Sequence, residues 1–74
     1  MHRLGEVTST AQGLLVAQLP DDDRPDVGAT AVDESLDEVG RVVDVFGPVD
    51  RPYVAVTPDD DHPDRLLGEK LYAR

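Results

Sequence analysis

The chain has 74 residues and a mass of 8.0 kDa, room for one small domain that hides only about 60% of the surface its unfolded chain would expose. With no cysteine, disulfide staples, thiolate metal sites and thiol catalysis are excluded. Sixteen acidic residues face seven basic ones, a net charge of -9, which argues against nucleic acid gripped mainly through its phosphates, because that mode needs clusters of Lys and Arg.

Valine occurs eleven times, Gly and Pro six times each, and turn signals recur about every eight to twelve residues, a spacing that predicts a small all-β sandwich or barrel. A first strand is expected over His2 to Val7 and a second over Gly13 to Gln18, where Leu14, Leu15, Val16 and Ala17 run together. Pro20 to Asp26 reads as a loop, Ala29 to Asp33 as a third strand, and Glu34 to Asp37 as a turn. Ser35 and Glu38 have capping-box spacing, but too few residues follow before Gly40 to sustain a helix.

The strongest strand signals are Val39 to Phe46 and Tyr53 to Thr57, joined by Gly47 to Pro52. They predict an antiparallel pair with a proline-stiffened connection. Alternation around Val42, Val43, Asp44 and Val45 is imperfect, and Gly40 is placed to mark a bulge or corner. Asp59 to Asp64 reads as a second acidic loop, Leu66 to Gly68 as a tight segment, and Lys70 to Tyr72 as a last strand. Six short strands close best as an antiparallel barrel, which removes exposed edges. One domain over residues 1–74 is expected. Apolar runs are far shorter than a membrane span and no signal-peptide core is visible, so a soluble, cytoplasmic protein is expected.

Twelve of the sixteen acids are Asp, and Lys70 stands alone among six arginines. Self-repulsion on this scale destabilises a compact domain in dilute buffer, and molar salt, with a Debye length of about 3 Å, removes most of it. Scarce lysine is not something solubility alone requires. The composition therefore reads as adaptation to a salt-rich cytosol, of the kind found in halophilic archaea.

Catalytic signals are weak. Pro20-Asp-Asp-Asp-Arg-Pro-Asp26 and Pro58-Asp-Asp-Asp-His-Pro-Asp64 match at six of seven positions. Clustered carboxylates suit a hard cation, yet neither segment has the alternating spacing and central glycine of a calcium loop, and acidic surface loops explain both without a ligand. His2 lies at a terminus and His62 in an acidic loop, Ser9 and Ser35 lack a base partner, and no nucleophile elbow or phosphate-cradling loop occurs. Asp44, alone within an apolar strand, reads best as an outward residue or one bonded to a backbone N–H. No catalytic residue, cofactor or metal ligand is assigned, and a non-enzyme is expected.

What stands out is Phe46-Gly-Pro-Val-Asp-Arg-Pro-Tyr53. Two prolines stiffen the turn, while Val49, Pro52 and Tyr53 leave apolar groups at the end of a hairpin in a chain rich in polar residues. Rigid apolar groups lower the ordering cost of docking on a partner, and Tyr is favoured in binding hot spots. The competing reading folds them back to plug the barrel end.

The longer run Gly40-Arg-Val-Val-Asp-Val-Phe-Gly-Pro-Val-Asp-Arg-Pro-Tyr-Val-Ala-Val56 resembles the core signature of the Gar/Naf family, components of H/ACA ribonucleoproteins. Arg3 to Val7 and Gly68 to Tyr72 are similar to the same family's ends. The chain looks like the short archaeal form, since the Gly-Arg-rich tails of eukaryotic members are missing from it. The resemblance implies a six-stranded barrel similar to the second domain of translation elongation factors. It further implies a non-catalytic subunit that docks on the H/ACA pseudouridine synthase, the dyskerin homologue, and controls its thumb loop. That role aids substrate loading and product release in rRNA pseudouridylation and ribosome biogenesis, with guide and ribosomal RNA met mostly indirectly and no membrane. Carried over by position, the docking surface comprises Phe46, Gly47, Pro48, Val49, Pro52, Tyr53 and Val54. Two alternatives stand beside it. One is an assembly factor of the same family, against which the lack of extra arms argues. The other is a translation-factor-like barrel that binds RNA directly, for which Arg3, Arg41, Arg51 and Arg65 would have to gather into a basic spot.

Overall fold

A computed structural model describes residues 1–59 and 61–74; Asp60, within the second acidic loop, lies outside the described residues. The strands are β1 (His2–Ala11), β2 (Leu14–Gln18), β3 (Thr30–Val32), β4 (Glu38–Phe46), β5 (Tyr53–Pro58) and β6 (Lys70–Ala73), with a short 3-10 helix at Pro63–Leu66. Every pairing is antiparallel. The sheet closes on itself in the order β1-β2-β5-β4-β3-β6, the six-stranded barrel expected from strand number and spacing. No described helix is long and apolar enough to cross a membrane.

Closure works through bulges. β1 pairs with β6 along its first half and with β2 along its second, and the register shifts once on each side, between Arg3 and Gly5 and between Val7 and Ser9. Each extra residue adds local twist and bends the strand, which lets one strand serve two neighbours. β1 also runs four residues beyond the expected end at Val7. Thr8, Ser9 and Thr10 are exposed, so no apolar alternation announces them. The hairpin is set by Gln12 and Gly13, whose φ angles of 54° and 81° give the two-residue left-handed turn that matches strand twist.

In β4 the irregular alternation has a structural cause. The register shifts between Val42 and Asp44, so Val43 is the extra residue and stands 40% exposed, while Val42 is buried. Val45, beyond the bulge, packs against the core. The bulge itself is thus at Val43. Gly40 sits beside the other β4 irregularity, where Ala31 pairs with Gly40 but Val32 with Glu38. A side chain at Gly40 would collide with the backbone carbonyl of Thr57 across the ladder; glycine is there for close backbone approach.

The turn after β3 is held by Asp33, whose carboxylate accepts the N–H groups of Ser35 (2.9 Å) and Asp37 (3.0 Å). That is a turn, as read from the sequence. The end of the second acidic loop is regular, because Pro63 opens the 3-10 helix, and Leu66 at the end of that helix packs against the core.

Leu4, Leu15, Leu19 and Leu71 with Val7, Val32, Val42, Val54 and Val56 fill the interior, and among the described residues no polar or charged side chain is buried. Core groups are therefore small and aliphatic. The acidic side chains of the described residues are exposed or half-exposed, and the ion pairs His2–Asp23 (3.8 Å) and Arg74–Glu38 (3.7 Å) are long and exposed, a kind that stabilises little.

Two predictions follow from this distribution. Raising KCl from 0.1 M to 2 M should lift the melting temperature by about 5–10 °C, roughly 1–2 kcal/mol at this chain length; a flat or falling salt profile in calorimetry would exclude the salt-adapted reading. Gly40→Ala should cost about 2–3 kcal/mol in denaturant titration through the clash with Thr57, and a loss below about 0.5 kcal/mol would show that the ladder relaxes around the added methyl.

Candidate partner-binding site at the end of the β4–β5 hairpin

β4 and β5 pair from Gly40 with Pro58 up to Phe46 with Tyr53, which brings the two aromatic residues face to face at the mouth of the barrel. Their rings stack at 5.7 Å between centroids and 21° between planes, within the favourable range for an offset pair. Phe46 is 42% exposed and Tyr53 half-buried, so the stack presents apolar area to solvent. Gly47 follows at φ +91°, and a Cβ there would lie 2.9 Å from Tyr53 Cδ2. Only glycine takes that backbone angle without strain while leaving the ring in place.

Of the seven residues read as a docking surface, the structure brings Phe46, Gly47, Pro48, Val49 and Tyr53 together at this exposed end. Val49 is 80% exposed. Pro52 and Val54 are in the interior, with Val54 at 0% exposure. Those two hold the segment from beneath: Val54 alternates with the outward Tyr53 along β5, and Pro52 seals the barrel end below the loop. The segment thus divides into an outer part and an inner part, and neither reading of it, docking surface or plug, describes all seven residues.

Sequence reasoning missed several neighbours. Val43 reaches the outer surface only because it is the bulge residue, and the signal for that was the broken alternation. Leu14 and Val16 alternate with the core residues Leu15 and Ala17 and so face outward, half-buried, on the strand next to β5. The four-residue apolar run from Leu14 to Ala17 hid which two point in. The base of the connection is tied to the end of β2. Leu19 N–H donates to the Pro52 carbonyl (2.8 Å), Gln18 Nε2–H to the Arg51 carbonyl (3.1 Å), and Arg51 Nε–H to the Leu19 carbonyl (3.3 Å). No sequence pattern marks Gln18 for this contact.

Other candidates do less. Asp44 is exposed and its carboxylate accepts the Val45 N–H at 2.8 Å, the bland reading of that residue. In the first of the two look-alike acidic segments Asp23 N–H donates to Asp21 Oδ1 (2.9 Å), and Pro63 and Asp64, the end of the second, begin the 3-10 helix. Among the described residues no group of three His, Asp or Glu is placed to hold a metal ion. Arg3 on β1 and Arg41 on β4 stand on opposite sides of the barrel, three strands apart in either direction, so they do not share one basic spot.

The fold is a small closed all-β barrel with an aliphatic interior and a partly apolar hairpin end. Comparison with known proteins sharpens the class. The model of the family described as "Gar1/Naf1 RNA binding region" matches residues 1–74. The chain is also 31% identical over 70 residues to the "H/ACA ribonucleoprotein complex subunit GAR1" of Encephalitozoon cuniculi (strain GB-M1), an alignment covering 95% of this chain and 38% of that protein. The chain belongs to the Gar1/Naf1 family.

The division of the hairpin segment is testable without a partner. Val49→Ala should leave stability within about 0.5 kcal/mol of wild type, whereas Val54→Ala should cost about 2 kcal/mol or more. Equal losses in chemical denaturation would contradict the separation into outer and inner residues.

Proposed function

We propose that this protein is a non-catalytic subunit of an H/ACA ribonucleoprotein. It docks on the catalytic subunit of the pseudouridine synthase, the dyskerin homologue, and controls the thumb loop that loads substrate RNA and releases product in rRNA pseudouridylation. Membership of the Gar1/Naf1 family and the name of the Encephalitozoon cuniculi relative support the particle. The chain spans 38% of that relative's length, so the relative's whole assembly is carried over here as a proposal.

One observation carries the docking surface: an exposed, stiffened apolar end, Phe46, Pro48, Val49 and Tyr53, on a chain of net charge -9. A surface this acidic has polar residues to spare for a turn. Exposed apolar groups grouped at one place favour a protein contact, and the stack of Phe46 on Tyr53 supplies the aromatic anchor such contacts use. Val43, just before the hairpin end on β4, extends the apolar surface. Contacts of this kind keep their strength in molar salt, where exposed ion pairs are screened. The salt-rich, archaeal cytosol inferred from composition therefore agrees with an interface built on shape and apolar area.

Tyr53→Ala should weaken binding to the purified synthase subunit about 10- to 30-fold, and Pro48→Ala about threefold to fivefold, with the barrel intact by NMR. Wild-type affinity in both variants, measured by calorimetry in molar KCl, would overturn the docking surface. Strong, salt-sensitive binding to guide RNA in the absence of synthase would favour the direct RNA-binding alternative instead.

A further inference from the structure

The loop from Gly47 to Pro52 carries the most exposed apolar side chain of the hairpin, Val49, yet lies outside the β4–β5 ladder, which ends at the Phe46–Tyr53 pair. Two side-chain hydrogen bonds tie it to the end of a different strand, one from Gln18 on that strand and one from Arg51 in the loop itself. Gln18, the last residue of β2, donates through Nε2 to the Arg51 carbonyl at 3.1 Å. Arg51 returns a bond through Nε to the Leu19 carbonyl at 3.3 Å. Between them Leu19 N–H donates to the Pro52 carbonyl at 2.8 Å. Leu19 is fully buried, as is Pro52, so the backbone on both sides of this exchange is anchored in the core.

We infer that Gln18 and Arg51 are positioning residues that clamp the β4–β5 connection in its docking conformation. This rests on the docking reading above and adds two residues to it: Gln18, whose side chain holds the loop backbone, and Arg51, whose side chain reaches from the loop to the backbone beyond β2. Barrel closure does not need the clamp. The β2–β5 ladder is complete once Gln18 pairs with Tyr53, and the loop carbonyl that Gln18 caps would otherwise bond to water at little cost. Holding it fixed removes loop freedom before the partner arrives, the freedom that binding would otherwise have to freeze.

Register gives the clamp a second point of contact with the site. Gln18 lies opposite Tyr53 and Tyr53 opposite Phe46, so the three residues form one row across β2, β5 and β4. All three are at least partly exposed and face outward. The amide of Gln18 thus reaches the far side of the loop while its own strand flanks the aromatic stack. Hydrogen bonds act at contact range, so a clamp of this kind holds at salt concentrations that screen more distant charges.

The test uses the full chain in molar KCl. Gln18→Met keeps the length of the side chain and removes its donor, and Arg51→Met keeps the apolar stem at the other end and removes the Nε donor with the guanidinium. Each variant should leave the melting temperature within about 3 °C of wild type, raise amide exchange at Leu19 about tenfold, and increase fast backbone motion at Val49, Asp50 and Arg51 in nitrogen relaxation. Affinity for the purified pseudouridine synthase subunit should fall roughly fivefold to tenfold, the scale of one or two net hydrogen bonds, and the double variant should lose less than the sum of the two.

Unchanged exchange and relaxation in both variants would overturn the clamp. A loosened loop that still binds the synthase at full strength, while Tyr53→Ala binds weakly, would overturn its positioning role and leave the docking surface standing. If Tyr53→Ala also binds at full strength, the docking surface falls and the positioning role falls with it. If one variant unfolds, the other decides, since each removes one bond of the same exchange.

Discussion

Closure of the strand ladder is the constraint on which everything else in this molecule depends. A chain of 74 residues without cysteine has neither a large core nor a covalent staple, and at this size a sheet with open edges would leave too much backbone unpaired. The solution is a single long strand, His2–Ala11, that bends at two bulges and pairs with β6 and then with β2. The closed ring that results is narrow, with a Cα radius of gyration of 10.6 Å. Its interior accepts leucine, valine and alanine and holds no aromatic ring.

That exclusion shapes the surface. Phe46, Tyr53 and Tyr72 are the chain's three aromatic residues, and none is buried. Two of them meet at one end, where the strongest hairpin of the fold delivers them side by side. Aromatic rings kept out of the core by barrel size and stacked on each other outside it form a preordered apolar platform. The same small diameter requires the end of the barrel to be sealed, and Pro52 and Leu19 do this from the interior. Sealing and display are therefore carried out by adjacent residues of one connection, with Pro52 turned in and Tyr53 turned out.

Much of this was legible in the chain. Six strands and the closed barrel follow from β-branched runs separated by Gly, Pro and Asp clusters, and the hairpin from Val39 to Thr57 was the clearest part. Extra residues in a strand were harder to see, because a bulge leaves only a broken alternation. Val43 shows how this happens: within Val42-Val43 two equal side chains take opposite faces, and nothing local says which. The extension of β1 through Thr8, Ser9 and Thr10 was missed for the same reason, since its residues are polar and exposed and its turn uses Gln12 rather than the usual asparagine or aspartate. Within the candidate site, residue type marked the segment but not its sides. Pro52 and Val54 look as suited to a docking face as Val49, and only the register of β5 separates them. Gln18 was invisible because its partner is a backbone carbonyl 33 residues away, a contact with no signature in composition or spacing.

Charge and apolar display bear on each other through the range of the forces involved. At a net charge of -9, a long-range field repels any acidic partner, including nucleic acid, unless salt screens it. Once it is screened, the steering and selectivity that charges provide are lost as well, and recognition falls to contacts that act only on touching. Such contacts are specific only when the contacting groups are held still, since a mobile apolar loop fits many surfaces equally badly. The structure meets that requirement at the hairpin end with two prolines, a stacked ring pair, a backbone angle at Gly47 that only glycine takes without strain, and hydrogen bonds to the end of β2. An acidic surface and a rigid apolar tip thus belong to one design: the more completely the solvent cancels charge, the more the fold must supply discrimination through fixed shape.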